Sequence, residues 1–328
     1  MAQASFGYFG IGVESTPGTA VAPTKFLAVR DVDFPIENNF IEIREIAGSR
    51  QRYLNYDGPL RPNASFTSSF YPVGAMGVLM KALFGSVSTA AAGASVTAKK
   101  HTFGDAVSLP SLSFERSDAR AAGQGILLQR LNGVKIESMS FSCNYGEAVD
   151  VSVQAQGLDF PSTPGSKPGS FTYPNLDPFI FSNAVISLDG VQNNLFKSIQ
   201  FEFTNTLERQ ESLRGARTAY KIYEGGLSCT LSGTLIFDDL SLYTKLENSE
   251  YMEVSCLFEG AEIDATNSIN YGAEFVWPKV KISTLGIPMT AGEIIEADAQ
   301  FQVSFDTATS KLVDASLTNL DASGTYDT

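Results

Sequence analysis

The chain has few of the residues on which catalysis usually depends. Among its 328 residues there is one histidine, and there are three cysteines. We expect that histidine, His101, to lie in a polar loop beside Lys99 and Lys100, which does not suit a histidine-dependent triad. A nucleophile elbow, the ligand spacing of a zinc site and a phosphate-binding loop are also missing from the sequence. We therefore predict that the protein is not an enzyme and holds no cofactor or metal.

Positive charge is also scarce, with 23 Lys and Arg against 36 Asp and Glu, and the formal net charge is −13. Proteins that bind nucleic acid neutralise phosphates with basic side chains, so this composition excludes a protein that grips DNA or RNA. There is no apolar run of about 18 residues, so we expect no helix to span a membrane. The segment MAQASFGYFG lacks the basic and apolar parts of a secretory signal, and we expect no secretion. Cys143, Cys229 and Cys256 have no metal-binding spacing and are predicted to be buried thiols in a reducing compartment.

The sequence does contain a copy of itself. Residues 48–60 (GSRQRYLNYDGPL) match residues 215–227 (GARTAYKIYEGGL) at a constant offset of 167. Residues 134–156 match 280–302 at an offset of 146, so the first copy carries about 21 additional residues. This period is longer than the 20–50 residues of solenoid repeats and indicates a duplicated domain. We predict domain 1 at 1–160, a linker at 161–176 and domain 2 at 177–328.

Alternation of apolar and polar residues predicts a mainly β (α+β) fold. Within 293–305 the apolar residues Ile295, Ala297, Ala299, Phe301, Val303 and Phe305 fall on odd positions, as do those of 149–155, and segment 227–237 alternates in the same way. One short helix per copy is predicted, at 73–84 and at 239–249, the second with Asp238 or Asp239 as N-cap. Segment 88–100 is predicted to be a surface loop, and Trp277 to lie in a core strand.

Two segments, 38–57 and 205–224, are too long to be tight hairpin turns, and we call them the first and second arms. Together they hold seven of the 23 basic residues. Solvated hairpins are one interpretation, but recurrence in both copies favours arms that reach acidic surfaces of neighbouring subunits. We expect Gly58 and Gly225 to permit the turn back into the sheet. The residues predicted to make these contacts are Arg44, Arg50, Arg52, Tyr53, Tyr56, Arg209, Arg214, Arg217, Tyr220 and Tyr223.

Three segments resemble the major tail tube proteins of long-tailed (siphovirus-like) bacteriophages, in the form with two tandem tube domains per chain. They are GIGVESTPGTAVAPTKFLAV (10–29), DPFIFSNAVISLDG (177–190) and SIQFEFTNTLE (198–208). The resemblance implies two duplicated β-sandwich or barrel-like tube domains, each flanked by a short helix. It also implies rings of six domains, here built from three chains, that stack into a hollow tail in the virion. The extra residues of the first copy depart from the family's pattern.

The expected partners are therefore other copies of the chain, a tape measure protein in the lumen, and tip and neck or terminator proteins. Assembly is expected in the cytoplasm of the host bacterium, without membrane insertion. DNA would pass through the tube without specific binding, because an acidic wall repels a polyanion. Asp150, Glu296 and Asp298 are the predicted lumen-facing acids. Two alternatives remain open at this point, a porin and a tandem β-sandwich protein that binds carbohydrate or another surface.

Overall fold

The computed structural model describes residues 7–46, 48, 53–117, 128–160, 171–173, 175–238, 240–292 and 294–327. Antiparallel strands dominate, so the prediction of a mainly β fold is confirmed. The strands of the first half are β1 (Tyr8–Glu14), β2 (Lys25–Leu27), β3 (Val29–Asp33), β4 (Ile36–Arg44), β5 (Tyr53–Ser69), β6 (Gly85–Ala91), β7 (Lys99–Asp105), β8 (Ser111–Ser117), β9 (Leu128–Asn144) and β10 (Asp150–Gln156). Those of the second half are β11 (Ala184–Leu188), β12 (Val191–Gln192), β13 (Phe196–Gln210), β14 (Lys221–Ile236), β15 (Met252–Asp264), β16 (Ile269–Gly286), β17 (Glu296–Val303) and β18 (Asp314–Asn319).

One sheet joins the two halves of the chain. Its strand order is β3 and β4 end to end, then β5, β10, β9, β13, β14, β17 and β16. The order is a four-strand pattern used twice, because β3–β4, β5, β10 and β9 correspond to β13, β14, β17 and β16. The two patterns meet where β9 pairs with β13. We call this sheet the repeat sheet.

The two patterns also share their pairing register. Most pairs of facing residues in the first pattern have their counterparts in the second at the offsets of 167 and 146. Examples are Val32–Phe66 with Ile199–Gly233, Ile36–Pro62 with Phe203–Cys229, Asp150–Ser69 with Glu296–Ile236, and Gln156–Lys135 with Gln302–Lys281. The β-bulges recur as well, for example at Glu137 and Ser283. Because a one-residue slip would turn every side chain to the other face, a shared register means a shared core face.

Two further layers cover the apolar face of the repeat sheet. One contains β2, β1 and β8 and joins β9. The other runs β6, β7, β18, β16, β15, β11 and β12, so that β18 of the second half pairs with β7 of the first. A single apolar cluster extends across both halves. At its centre the rings of Phe141 and Phe201 stack with centroids 4.9 Å apart, and Trp277 is fully buried as predicted.

The alternating strands face as predicted. Val149, Val151, Val153 and Ala155 are buried, and so are Ala297, Ala299, Phe301 and Val303. The pattern weakens beyond both ends of β17: Ile295 before the strand is half-buried, and Phe305 is exposed because β17 has already finished at Val303. The three cysteines are buried free thiols, as predicted, and burial raises the pKa of Cys143 to about 11 and that of Cys229 to about 12.

The two predicted helices are α1 (Ala75–Phe84) and α2 (Ser241–Asn248). The predicted acidic cap of α2 is wrong for Asp238, because Leu240 occupies the cap position without a side-chain hydrogen bond. Asp239 lies outside the described residues. Neither helix is long and apolar enough to cross a lipid bilayer, within the described part of the chain.

The expectations for the region around His101 hold only in part. Residues 92–98 form the predicted surface loop, but 88–91 and 99–100 belong to the paired strands β6 and β7. His101 lies in β7, is fully buried, and its Nε2 lies 3.0 Å from Asn319 Oδ1. Burial lowers the pKa of His101, and the Asn319 contact offsets part of that shift. The burial follows from the position of β7 between β6 and β18, which cover His101 from both sides. The neighbouring lysines had suggested an exposed position.

Candidate assembly interface

The first arm projects from the repeat sheet as the outer part of the β4–β5 hairpin. Every residue of β4 is exposed, and large apolar side chains are among them. Exposed apolar and aromatic side chains of this arm are Phe40, Ile41, Ile43, Ile46, Leu54 and Tyr56. Contiguous exposed apolar surface of this kind marks interaction sites in soluble proteins. The first arm therefore presents apolar surface in addition to the basic residues found in its sequence.

The second arm, the outer part of β13 and β14, lies against the base of the first arm. Arg217 makes the contact, because its Nε donates to the Gly58 carbonyl at 2.8 Å and its guanidinium also reaches Asn38 and Asp57. The backbone continues it, with Leu60 N–H donating to the Arg217 carbonyl at 2.9 Å. Both side chains of the Arg217–Asp57 pair remain substantially exposed, and exposed ion pairs contribute only ~0–1 kcal/mol.

Arg209 and the tip of the second arm make further contacts to the chain itself. Arg209 Nη2 lies 2.7 Å from Asn63 Oδ1 in β5, and burial lowers the pKa of Arg209. Ile222 is buried in a small apolar cluster with Leu158 and Ala219. Arg214 donates to the carbonyls of Thr218 and Ala219 and so closes the arm's own loop.

The remaining predicted arm residues lie apart from that contact. Tyr56, Tyr220 and Tyr223 are exposed, with Lys221 Nζ 5.1 Å from the Tyr223 ring centroid. Arg44 pairs with Glu42 on the surface of β4 at 3.0 Å. Arg50, Arg52 and the side chain of Tyr53 lie outside the described residues. The structure therefore brings Arg209 and Arg217 to the first half of the chain and leaves a band of tyrosines exposed.

The two glycines of the repeated motif are required for a different reason from the predicted one. Gly58 and Gly225 do not sit in a turn, because each faces a β-bulge in mid-hairpin. A Cβ at Gly58 would lie 1.8 Å from the Asn39 carbonyl oxygen, and one at Gly225 would lie 2.9 Å from Thr206 Cβ. Close backbone approach, not a backward turn, requires glycine at both positions.

The acid of the repeated motif binds a cation from the other half in both copies. Asp57 in the first half pairs with Arg217. Its counterpart Glu224 pairs with Lys135 of β9, and both side chains are nearly buried, at 11% and 4% exposure. Burial alone would raise the pKa of Glu224, but the Lys135 contact outweighs it and holds that pKa below its ordinary value of 4.5. The role of Lys135 was not predicted from the sequence, although Lys135 and Lys281 align in the duplicated VKI segments.

The predicted lumen acids lie on the polar face of the repeat sheet at equivalent positions. Arg30 donates to Asp150 at 2.8 Å, and its counterpart Lys197 pairs with Glu296, so the ion pair is duplicated with the sheet. Asp298 accepts a hydrogen bond from Thr234 Oγ1 at 2.9 Å and is exposed. Two of the three acids are therefore neutralised by basic neighbours, and Asp298 contributes most of the unbalanced charge.

Comparison with known proteins bears on this arrangement. The family model described as "Phage tail tube protein" matches residues 7–308, which is nearly the whole chain. No curated protein matches the sequence significantly.

We predict that Lys135→Met destabilises the unassembled chain by about 3–5 kcal/mol near neutral pH, because Glu224 is left as a buried, unpaired carboxylate. Chemical denaturation measures the change. The matched control is Lys281→Met at the equivalent position, where the side chain is half-buried over the Tyr251 ring and the loss is about 1 kcal/mol or less. Equal losses for both variants would contradict the assignment.

The same pair predicts a pH dependence. Because the folded-state pKa of Glu224 is lowered, its stabilising contribution is present above the ordinary carboxyl pKa of 4.5 and is lost as the pH falls through the lowered value. The stability difference between the wild type and Lys135→Met should therefore shrink on acidification. A difference that stays constant down to acid unfolding would argue against an ionised Glu224.

Proposed function

We propose, because this chain belongs to the phage tail tube protein family, that it polymerises as stacked trimeric, pseudo-hexameric rings. As a member of this family it is a structural component of the phage tail. The rings form the hollow tube through which DNA travels to the host during ejection. They assemble in the host cytoplasm around a tape measure protein and are completed by tip and terminator proteins.

The observation that carries the trimeric ring is the repeated register of the sheet. Six equivalent units close a ring by contacts of a single kind, and this chain already holds two units with one such contact between them, at β9 and β13. A contact that joins different surfaces of like units closes into a ring when its rotation allows. Three chains then supply six units. The boundaries at 160 and 177 remain the predicted division between the units.

The native mass of one ring tests this stoichiometry. We expect three chains of 35.2 kDa each per ring. Native mass spectrometry of rings released from short tubes gives the number directly. A ring of six chains would contradict the trimer and leave the tube function in place.

We predict that Arg217→Glu gives a folded, soluble chain that no longer polymerises into tubes. The ion pair of Arg217 with Asp57 is exposed and its hydrogen bond to Gly58 is only half-buried, so their loss should change the melting temperature by no more than a few degrees. Between subunits, arginine and tyrosine of the arms are expected to carry much of the binding energy. Electron microscopy and thermal unfolding of the same sample separate the two effects.

Lys99→Glu, which makes the same charge change in the β6–β7 hairpin, is the control and should assemble normally. A large fall in melting temperature of unassembled Arg217→Glu would instead assign Arg217 to internal stabilisation. The prediction extends to the aligned Arg50, whose structure is not described.

We propose that the polar face of the repeat sheet lines the lumen, and Asp298 provides the sharpest test. Its replacement by lysine breaks no ion pair, whereas lysine at position 150 or 296 would face Arg30 or Lys197. Asp298→Lys should slow DNA ejection from assembled virions at low salt, because lysines on the wall would contact phosphates. Glu262→Lys, at an exposed acid on β15, serves as the control. Ejection at an unchanged rate at both low and moderate salt would place Asp298 outside the lumen.

A further inference from the structure

We infer that neighbouring chains join through antiparallel pairing of the outer edge of β3–β4 with the end of β16, in the register that β9 and β13 already show within one chain. This inference rests on the proposed ring and specifies its seam. It names the partner as a second copy of this chain and fixes which residues face each other.

Two strand edges of the repeat sheet are open. In the part of the chain that the structure describes, β3 and β4 pair only with β5. At the other end of the sheet, β16 pairs with β17 over Val280–Gly286, while its opposite side has β15 only as far as Val280. Open edges of this kind are templates for pairing with another chain.

The register follows from the duplication. Within the chain, Ser198–Thr204 of β13 pairs with Asn144–Ser138 of β9. Moving β13 back by 167 residues gives Asp31–Glu37, and moving β9 forward by 146 gives Thr290–Thr284. The first range covers the end of β3 and the start of β4, and the second covers the last three residues of β16 and the four residues that follow it. The facing pairs between chains are then Asp31–Thr290, Val32–Met289, Asp33–Pro288, Phe34–Ile287, Pro35–Gly286, Ile36–Leu285 and Glu37–Thr284.

Side-chain chemistry agrees with this register. The apolar pairs that it creates, Val32–Met289, Phe34–Ile287 and Ile36–Leu285, correspond to Ile199–Cys143, Phe201–Phe141 and Phe203–Met139, which are all buried within the chain. At the open edge some of these positions are less covered, although Phe34 is already buried within the chain. Cys143 is 7% exposed, whereas its counterpart Met289 is 78% exposed. A partner strand in this register would cover the apolar surface that is exposed at Met289.

The prolines of the two edges also fit. Backbone groups of an edge strand alternate between its two sides. The Pro35 carbonyl accepts from Asn63 N–H of β5, so the position of Pro35 faces β5 and its missing N–H does not affect the outer edge. The backbone groups of Asp33 also face β5. Asp33 and Pro288 therefore share no hydrogen bond across the seam, and the missing N–H of Pro288 has no effect there. The outward-facing groups belong to Val32, Phe34 and Ile36, each opposite a residue with an N–H.

An asparagine marks the end of each edge. Asn205 is buried where β13 leaves β9, and its Nδ2 donates to the Leu83 and Ile136 carbonyls at 3.0 and 3.1 Å. Its counterpart in the first copy is Asn38, at the end of the open edge. By the offset of 146 for Ile136, Asn38 would reach the carbonyl of Ile282 of the neighbouring chain.

Disulfide trapping between two variants that each carry one introduced cysteine tests the register. Glu37 with Thr284, and Asp31 with Thr290, are pairs that do not share hydrogen bonds, and such pairs place Cα atoms about 4.5 Å apart, within disulfide range. Glu37→Cys chains are mixed with Thr284→Cys chains, and Asp31→Cys chains with Thr290→Cys chains. Rings are assembled and oxidised with copper–phenanthroline, and mass spectrometry identifies the linked peptides. Any link between the two introduced cysteines is then between chains.

The swapped mixtures, Glu37→Cys with Thr290→Cys and Asp31→Cys with Thr284→Cys, use the same four positions but separate the thiols by about 20 Å along the strand. They are the matched controls. Thr204→Cys/Ser138→Cys in one chain is the positive control for the internal seam. The native thiols, buried and with raised pKa values, form little thiolate to compete.

We expect at least a tenfold excess of linked dimer from the in-register mixtures over the swapped ones. Rings that form normally but give equal linking, or linking only in the swapped mixtures, overturn the proposed seam and leave the tube function standing. If the wild-type chain forms no ring or tube under any condition of tail assembly, the proposed function itself fails.

Discussion

The pairing of β9 with β13 is the constraint on which the rest of the molecule depends. It joins the two four-strand patterns into one sheet, and it places Phe141 against Phe201 at the centre of a core shared by both halves. Stacked aromatic pairs add about 0.5–1.5 kcal/mol beyond the area that they bury. Because the strands alternate strictly, this single register decides which side chains of every neighbouring strand enter the core.

Much of the fold could be predicted because it is encoded locally. Alternation identified the buried faces of β10 and β17, and the constant offsets located equivalent strands before any pairing was known. The helices were found to within about two residues of their ends. These features depend on neighbours in sequence, which is where hydrophobic periodicity is informative.

What could not be predicted depends on contacts between distant residues. The burial of His101 results from pairing of β7 with β18, some 215 residues away in sequence. Glu224 looked like an arm residue, yet it is held by Lys135 from the other half. The contact of Arg217 with the base of the first arm could not be predicted from residue types either, because the group that accepts its hydrogen bond is the backbone carbonyl of Gly58. A pattern of residue types does not specify which distant backbone a side chain will meet.

The β9–β13 junction also affects the number of copies in a ring and the rate at which rings form. Since each chain contributes two copies already joined, the proposed ring contains an even number of copies, and a ring with five or seven is excluded. In that ring half of the seams would form during folding, at an effective concentration of roughly millimolar for linked partners. That half would be independent of how much protein the cell has made. Only the other half of the seams requires two molecules to meet. The covalent link between the two copies therefore replaces part of the association of several molecules with the folding of one chain.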